Sequence, residues 1–473
     1  MRDKLFFWMT VAWALHAVLC TSHAASAETA SSDLSRLESL LERQGRLIAA
    51  QEARLAELER QNADLQARVN ALMANGAPAA ASVQVTDATT AKAELSASSL
   101  APGGAAAARL AFTKPNGFSV VPYGYFKFDA VYDSDRTAFG DAAVYVRPYS
   151  ESGGGDKDLT FSARESRLGF IVTAPEHPRL KVTGRLEGDF YGDLANQDSY
   201  QFRLRLAYLD AAWGEGWSLR LGQDWDAFTS FHPKMLDAGI LAGTGHLWGR
   251  RPQARLTKVV PLGDSTRLVL KAAVENGYKN DVDSDGQQDS NASGVPQIVG
   301  QVALETRLLT KRDTLLSLAG LYGEERTRRE PSPDTYPVEM VQFAAQIPLA
   351  DPFTLQGTLW AGQNLDAYYG GVMQGINLTG GRAVSACGGW VEGVYDLTDR
   401  WSLALGYGID NPSDGDLSLA ASRTLNERYF ASLFYLVTAN FMIGGEYALL
   451  RTEFKEEDRV TDNRIQLSGQ LTF

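Results

Sequence analysis

Charged side chains recur at every second position in several short segments of this sequence. Arg185, Glu187 and Asp189 show this spacing, and so do Arg203 and Arg205. Because side chains alternate between the two faces of a β-strand, residues two apart point to the same side. Arginines gathered on one face create a positive field that favours anions. These segments therefore predict a surface that can discriminate between charged small molecules.

The same segments carry apolar side chains on the alternate positions. In "QFRLRLAYL" the apolar positions are Phe202, Leu204, Leu206 and Tyr208. This pattern predicts strands with one apolar and one charged face. A soluble sandwich would need a second sheet against each apolar face, but the opposite faces carry arginines and carboxylates. Lipid on one side and water on the other satisfies both faces.

About sixteen such segments follow Pro115, and the connections between them alternate between short and long. "PLGDS" and "LTDR" are short, whereas residues 226–251 form one of the long connections. This alternation is typical of an up-and-down membrane barrel. The sequence thus predicts an all-β fold over residues 115–473, a 16-stranded antiparallel transmembrane β-barrel, preceded by an N-terminal α-helical coiled coil.

Aromatic residues near the segment ends are typical of the girdles that flank a membrane barrel. The predicted girdle comprises Tyr123, Tyr191, Trp213, Trp217, Trp225, Trp401, Tyr429 and Tyr447. The chain ends on an alternating strand whose last residue is Phe473. We expect this strand to close the barrel.

Three segments precede the predicted barrel. Residues 1–27 read as a signal peptide, with a basic start, an apolar core and small residues before the cleavage site. Residues 28–74 contain a heptad repeat whose widened seam predicts a coiled coil of more than two strands. Residues 75–114 are rich in Ala, Ser, Thr, Gly and Pro, which predicts a flexible linker.

The net charge and the few cysteine and histidine residues limit the kinds of function that this chain can have. The net charge of −12 argues against a nucleic-acid partner, and no motif predicts a cofactor. After signal cleavage Cys387 is the remaining cysteine, predicted to be buried and unreactive. His232 and His246 lie in one long connection and read either as a metal or catalytic site or as ordinary polar loop residues.

A second metal candidate lies in "DVDSDGQQD". Asp281, Asp283 and Asp285 resemble the start of a calcium loop, but Ala292 stands where such a loop carries its glutamate. A solvated acidic loop is the alternative.

At "YGYFKFDAVYD", "SARESRLGF", "GRLEGDFYG" and "LGQDWDAF" the chain resembles DcaP-like porins. The resemblance implies a homotrimeric diffusion channel of the bacterial outer membrane, with its coiled coil in the periplasm and a preference for small anions such as dicarboxylates. Residues 226–251 match in position the loop that folds into porin lumens. Phe473 resembles the assembly signal of bacterial barrels, which implies outer-membrane lipid and the barrel assembly machinery as partners.

The alternation assigns charged residues to the predicted lumen. The inward bases are predicted to be Lys127, Arg167, Lys181, Arg185, Arg203, Arg205, Arg220, Arg255, Arg267 and Lys271. The acids among them are Asp129, Glu165, Glu187, Asp189 and Asp224. Further along the chain acids dominate, with Glu275, Glu305, Glu392 and Glu446 against Arg307.

These residues predict a basic wall opposite a mildly acidic one, with anion selectivity centred on Arg203 and Arg205. Mutual neutralisation in structural ion-pair networks is the alternative. The leading prediction for function is a porin for passive diffusion of small hydrophilic solutes, preferentially anions.

Two other functions are weighed against it. A structural anchor would link the membrane to cell-wall peptidoglycan through the coiled coil. A membrane hydrolase would need a nucleophile beside a base, and no histidine lies on a predicted strand.

Overall fold

The computed structural model describes Arg60 and residues 112–113, 117–152, 155–193, 199–277, 293–327 and 334–473. Arg60 is helical and exposed. Apart from Arg60 and Phe112–Thr113, which fall in the predicted coiled coil and linker, the predicted signal peptide, coiled coil, linker and calcium loop lie outside these residues. No helix in the described part of the chain is long and apolar enough to cross a bilayer.

Sixteen antiparallel strands, numbered here β1 to β16, form the barrel. Their bounds are β1 Ser119–Asp133, β2 Asp158–Ser162 and, after an interruption, Arg167–Thr173, β3 Leu180–Asp189, β4 Arg203–Trp213, β5 Trp217–Trp225, β6 Arg250–Pro261, β7 Arg267–Glu275, β8 Gln297–Thr306, β9 Thr314–Arg326, β10 Thr335–Ala350, β11 Phe353–Gln363, β12 Ser385–Asp396, β13 Trp401–Pro412, β14 Arg423–Leu436, β15 Phe441–Phe454 and β16 Val460–Thr472. Each strand pairs with the next, and β16 pairs with β1. The predicted all-β, sixteen-stranded antiparallel barrel is confirmed.

Short elements decorate the barrel. Phe112–Thr113 pairs with the start of β1, and a hairpin joins Ile376–Asn377 to Arg382–Ala383. The helical segments are Tyr149–Ser152 and the 3-10 turns Gly140–Ala142, Asp366–Tyr368 and Asp414–Asp416. These four helical segments lie in the long connections. The short connections join strands at the opposite end, where β1 begins and β16 ends.

Phe473 completes the seam between the first and last strands. The amide of Phe473 donates to the Gly124 carbonyl at 3.0 Å, and the Gly124 amide donates to the Phe473 carbonyl at 3.2 Å. Its ring lies 5.4 Å from the ring of Phe126. An ideal Cβ on Gly124 would come within 3.0 Å of the Phe473 ring, so the glycine leaves room for it.

Deleting Phe473 is expected to lower barrel assembly sharply while leaving export intact, because the closing strand loses its last hydrogen bonds and its ring contact. The measurement is the amount of folded protein in the outer membrane beside the amount exported. Phe441→Ala serves as control, since it removes an exposed ring from the neighbouring strand without touching the seam. Normal assembly of the truncated chain would contradict the prediction.

The outer face of the barrel is apolar and the inner face is polar. Leu359 is 66% exposed on the outside, whereas Gln342, Gln356 and Gln466 are buried inside. This distribution reverses that of a soluble protein, and contact with lipid accounts for it. Five of the predicted girdle aromatics are exposed, namely Trp213, Trp217, Trp401, Tyr429 and Tyr447.

The other three predicted girdle aromatics are not on the outer face. Tyr191 is buried, the Tyr123 hydroxyl donates to Glu187 at 2.8 Å, and Trp225 packs against His232. Their assignment to the girdle was wrong. Tyr123 is held inside by Glu187 and Arg185 of β3, and Trp225 is held inside by the lumen-facing His232.

A bulge in β4 reverses the expected direction of two side chains. Glu187 pairs with Leu206 and Gly188 pairs with Leu204, so Arg205 has no partner residue on β3. Leu206 is therefore only 2% exposed, and the Arg220 guanidinium lies over the Tyr208 ring. The prediction that Leu206 and Tyr208 face lipid was wrong, because one extra residue shifts the alternation by one position.

Cys387 is exposed, so the prediction of a buried thiol was wrong. It lies on β12 between the buried Ala386 and the half-buried Gly388, and its outward position follows from the strand alternation. The thiol is a natural attachment point for a label on the outer surface.

The hydrophobic core lies inside the barrel. Residues 226–249, named here the lumen loop, connect β5 to β6 and contribute Phe231, Met235, Leu236 and Leu241 to it. Inward aromatics of the wall, such as Trp390 and Phe430, complete the cluster. The sequence-based expectation that this connection folds into the barrel is confirmed. The charged side chains on the inner faces of the strands must then either bind this loop or line the part of the lumen that the loop leaves open.

Candidate functional site

Three carboxylates of the wall bind the backbone of the lumen loop. Glu275 accepts from the Ala227 amide at 2.7 Å, Glu392 from Lys234 at 2.8 Å, and Glu446 from Leu236 at 2.6 Å. Hydrogen bonds to an ionised acceptor are stronger than neutral ones. These acids therefore position the loop, and the prediction that they form an open acidic wall was wrong.

Asp237, at the tip of this loop, forms a buried ion-pair cluster. Its carboxylate lies 2.9 Å from Arg428 and 3.0 Å from Arg464. Burial by itself would raise the pKa of Asp237, but the two guanidiniums outweigh it and hold that pKa below its usual value. Sequence reasoning missed both arginines. The polar alternation of β16 could have placed Arg464 inward, but only the fold shows what it meets.

The remaining residues of the predicted acidic wall are also engaged elsewhere. Glu305 pairs with Arg267 near the short-turn end. Arg307 lies in the turn after β8, where it is 54% exposed and pairs with Asp313 at 3.1 Å. Its predicted position on an inward strand face was wrong, because β8 ends at Thr306.

Lys127 is buried as well. Its ammonium pairs with Glu165, lies 3.4 Å from Asp129 and donates to the Leu236 carbonyl at 2.7 Å. It anchors the lumen loop from β1 and is not free to face a passing solute. Lys181 is exposed, close to the turn between β2 and β3.

The arginines of β2, β3 and β4 form one inward cluster. Arg205 binds Glu187 at 2.9 Å and Asp189 at 2.7 Å, and Arg203 binds Asp189 through two nitrogens at 2.8 and 2.9 Å. Arg185 lies 3.0 Å and Arg167 lies 3.6 Å from Glu187. Four guanidiniums thus share two carboxylates, which leaves an excess of two positive charges.

A second cluster on β4, β5 and β6 is balanced. Arg220 pairs with Asp210 at 2.6 Å and with Asp224 at 2.7 Å. Arg255 also binds Asp224 at 2.7 Å. Two bases meet two acids here, so this part of the wall contributes little net field.

Apart from the exposed Lys181, two cations of the basic wall have no acidic partner among the described residues. Lys271 on β7 is half-buried, and its side chain makes no hydrogen bond or ion pair within this part of the chain. Arg250, the first residue of β6, contacts the rings of Trp225 and Trp248 at 4.7 and 5.3 Å. Sequence analysis did not single out Arg250, because its position next to the lumen loop places it outside the clear alternation.

Partial exposure shows which part of the wall meets solvent. The side chains of Arg185, Arg203 and Arg220 are 22–24% exposed, whereas the anchors of the lumen loop are nearly inaccessible. The two clusters and the two unpaired cations together hold eight bases and four carboxylates. These residues carry an excess of positive charge, and the predicted role of the basic wall in selectivity stays a prediction.

The two histidines of the lumen loop bind each other. His232 Nδ1 lies 2.9 Å from His246 Nε2, and the Trp390 indole N–H donates to His246 Nδ1 at 3.2 Å. Since an indole can only donate, His246 carries its proton on Nε2 and donates to His232. No group of three or more potential metal ligands occurs among the described residues.

Acidification is expected to loosen the lumen loop. Burial lowers the pKa of both histidines, that of His246 to about 3, whereas a displaced loop would regain ordinary values near 6.5. The packed loop is thus fully stabilised above pH 6.5, and this contribution is lost as the pH falls toward the lowered values.

Ion conductance measured between pH 7.5 and 4.5 should therefore become larger or noisier on the acid side. His246→Gln removes one titrating ring while keeping an acceptor for Trp390, and its pH response should be weaker. The same response in both proteins would show that other groups control the loop.

No protein-family model matches this chain, and no curated protein matches it. Among solved structures, the outer membrane channel DcaP of Acinetobacter baumannii matches with a TM-score of 0.62 and 22% identity, over 76% of this chain and 99% of that one. An anion-selective porin from Comamonas acidovorans matches with a TM-score of 0.50 and 14% identity, over 75% of this chain and 100% of that one.

At these identities the comparison establishes the fold and leaves the activity to be argued from the residues. The match extends over nearly the whole of the DcaP chain. The resemblance first drawn from short motifs is thus confirmed at the level of the fold: this protein has the fold of the outer membrane channel DcaP.

Proposed function

We propose that this protein is a porin of the bacterial outer membrane, through which small hydrophilic solutes diffuse with a preference for anions such as dicarboxylates. The observation that carries the proposal is the excess of positive charge on the half-buried inner face of β2–β7. Charged side chains that line a lumen set the selectivity of a barrel. The apolar outer face supports residence in a lipid bilayer.

Two solved structures that match this chain support the proposal. The Comamonas porin is described as anion-selective, and DcaP is described as an outer membrane channel. We extend the resemblance to a homotrimer with a periplasmic coiled coil that is assembled by the barrel assembly machinery. The proposal for anion preference itself is supported by the charges of this chain.

The test is the reversal potential of purified full-length protein in a planar bilayer under a KCl gradient. We expect chloride to be preferred at low salt. The preference should weaken at high salt, because the Debye length falls from about 8 Å at physiological ionic strength to about 3 Å at 1 M. A cation preference would contradict the proposal.

The same experiment separates the alternatives. An anchor that links the membrane to peptidoglycan through the coiled coil would reside in the bilayer without conducting ions. A hydrolase would turn over ester or peptide substrates, which assays on the same preparation would detect. His232 and His246, the candidate bases of the lumen loop, are engaged with each other.

A further inference from the structure

Aromatic side chains lie around Arg250 at the point where the lumen loop leaves and rejoins the barrel. Trp225 ends β5, Arg250 begins β6, and the two residues are paired across the strands. Trp248 lies two residues before Arg250, with its ring centroid 5.7 Å from that of Trp225. The strand pairing therefore fixes one arginine beside two tryptophans.

The hydrogen-bonding groups of this site lack acceptors. The Arg250 guanidinium makes no hydrogen bond or ion pair with any described residue, although it offers five N–H donors. Trp248 is only 7% exposed, and its indole N–H has no acceptor in the described part of the chain. A buried donor without a partner is costly. The buried indole donor of Trp248 beside the half-buried guanidinium of Arg250 points to an acceptor supplied by a ligand.

The neighbouring arginines, Arg203 and Arg205, are bound to carboxylates of their own. The Arg205 guanidinium lies 5.7 Å from the Trp225 ring, but Arg205 and Arg203 are already bound to Asp189. They leave the local field positive, and each already binds carboxylate oxygens through two nitrogens. An anion entering here would find in Arg250 a guanidinium that no described carboxylate binds.

The other surroundings of the site are flat and apolar. Tyr369 lies 4.6 Å from Trp248, ring to ring, and Tyr145 and Met373 pack at the edge of the same cluster. These side chains are half-buried, so part of their surface is accessible. Aromatic faces favour another ring in stacked or tilted contact.

We propose that Arg250, Trp225 and Trp248 form a binding subsite for flat aromatic carboxylates, with the carboxylate on the guanidinium and the ring against the aromatic side chains. This inference rests on the proposed function and names a substrate class within it. It differs from a general anion preference because it requires a ring in addition to a charge.

The test compares benzoate with cyclohexanecarboxylate, which has the same charge and nearly the same size but no π-system. Calorimetry on the purified full-length protein should show tighter binding of benzoate. Arg250→Gln should weaken benzoate binding about tenfold or more, as expected when a charge-assisted pair is lost. Arg307→Gln, at an exposed turn, is the matched control and should bind like the wild type.

Arg250→Lys separates this inference from the proposed function. Lysine keeps the positive charge but loses the planar pair of donors that matches a carboxylate, so the chloride preference should persist while the affinity for benzoate falls. Equal affinity of the wild type for both acids would overturn the subsite, as would unchanged benzoate binding in Arg250→Gln. If the wild type shows no preference for chloride, that result would instead count against the proposed function.

Discussion

Asp237→Asn is expected to free the lumen loop and to raise the single-channel conductance. The substitution removes the charge that Arg428 and Arg464 share inside the barrel. Removing one partner of a buried ion pair typically costs about 3–5 kcal/mol. Because the loop occupies the lumen, a displaced loop leaves a wider path for ions.

The matched control is Asp210→Asn. Asp210 is also an inward carboxylate paired with an arginine, Arg220, but no contact between it and the lumen loop occurs among the described residues. Conductance traces and limited proteolysis of the loop should distinguish the two variants. Equal conductance of Asp237→Asn and the wild type would mean that the backbone anchors on Glu392 and Glu446 suffice to hold the loop.

Combining Arg250→Glu with Lys271→Glu is expected to shift the reversal potential toward cation preference. Both cations lack an acidic partner among the described residues, so their replacement changes the field without leaving a carboxylate unpaired. The exchange converts two positive charges into two negative ones, which cancels the excess of four bases in the inner wall. The measurement is again the reversal potential in a KCl gradient.

Arg307→Glu is the control for this pair, since it reverses the charge of an arginine at an exposed turn, away from the inner wall. It should leave the selectivity at the wild-type value. An unchanged reversal potential in the double variant would show that the net charge of the wall does not set ion preference.

Arg203 and Arg205, which sequence analysis made central to selectivity, are less suitable for this test. Reversing Arg205 would place three carboxylates together in a buried site with Glu187 and Asp189. We expect such a variant to fail in assembly, and its selectivity would then not be measurable. Their role in selectivity stays a prediction, and substitution by an uncharged residue such as Gln is the suitable test of it.

The sequence by itself determined the barrel. Alternation with period two decides which face of a strand is apolar, and the lengths of the connections decide which strands are neighbours. Neither inference depends on distant contacts, so the strand count, the antiparallel order and the closing strand could all be predicted. The basic character of β2–β7 could be predicted for the same reason, because an arginine opposite leucines must face away from lipid.

Only the tertiary structure decided what the inward charges do. A strand pattern shows that Glu392 and Arg203 point into the lumen, but it does not show that one binds the lumen loop and the other a carboxylate. The bulge at Arg205, the placement of Trp225 inside, and the two unpaired cations also depend on residues far apart in the chain. Periodicity is a local property, whereas pairing and solvent access depend on where an inward-folded loop comes to rest.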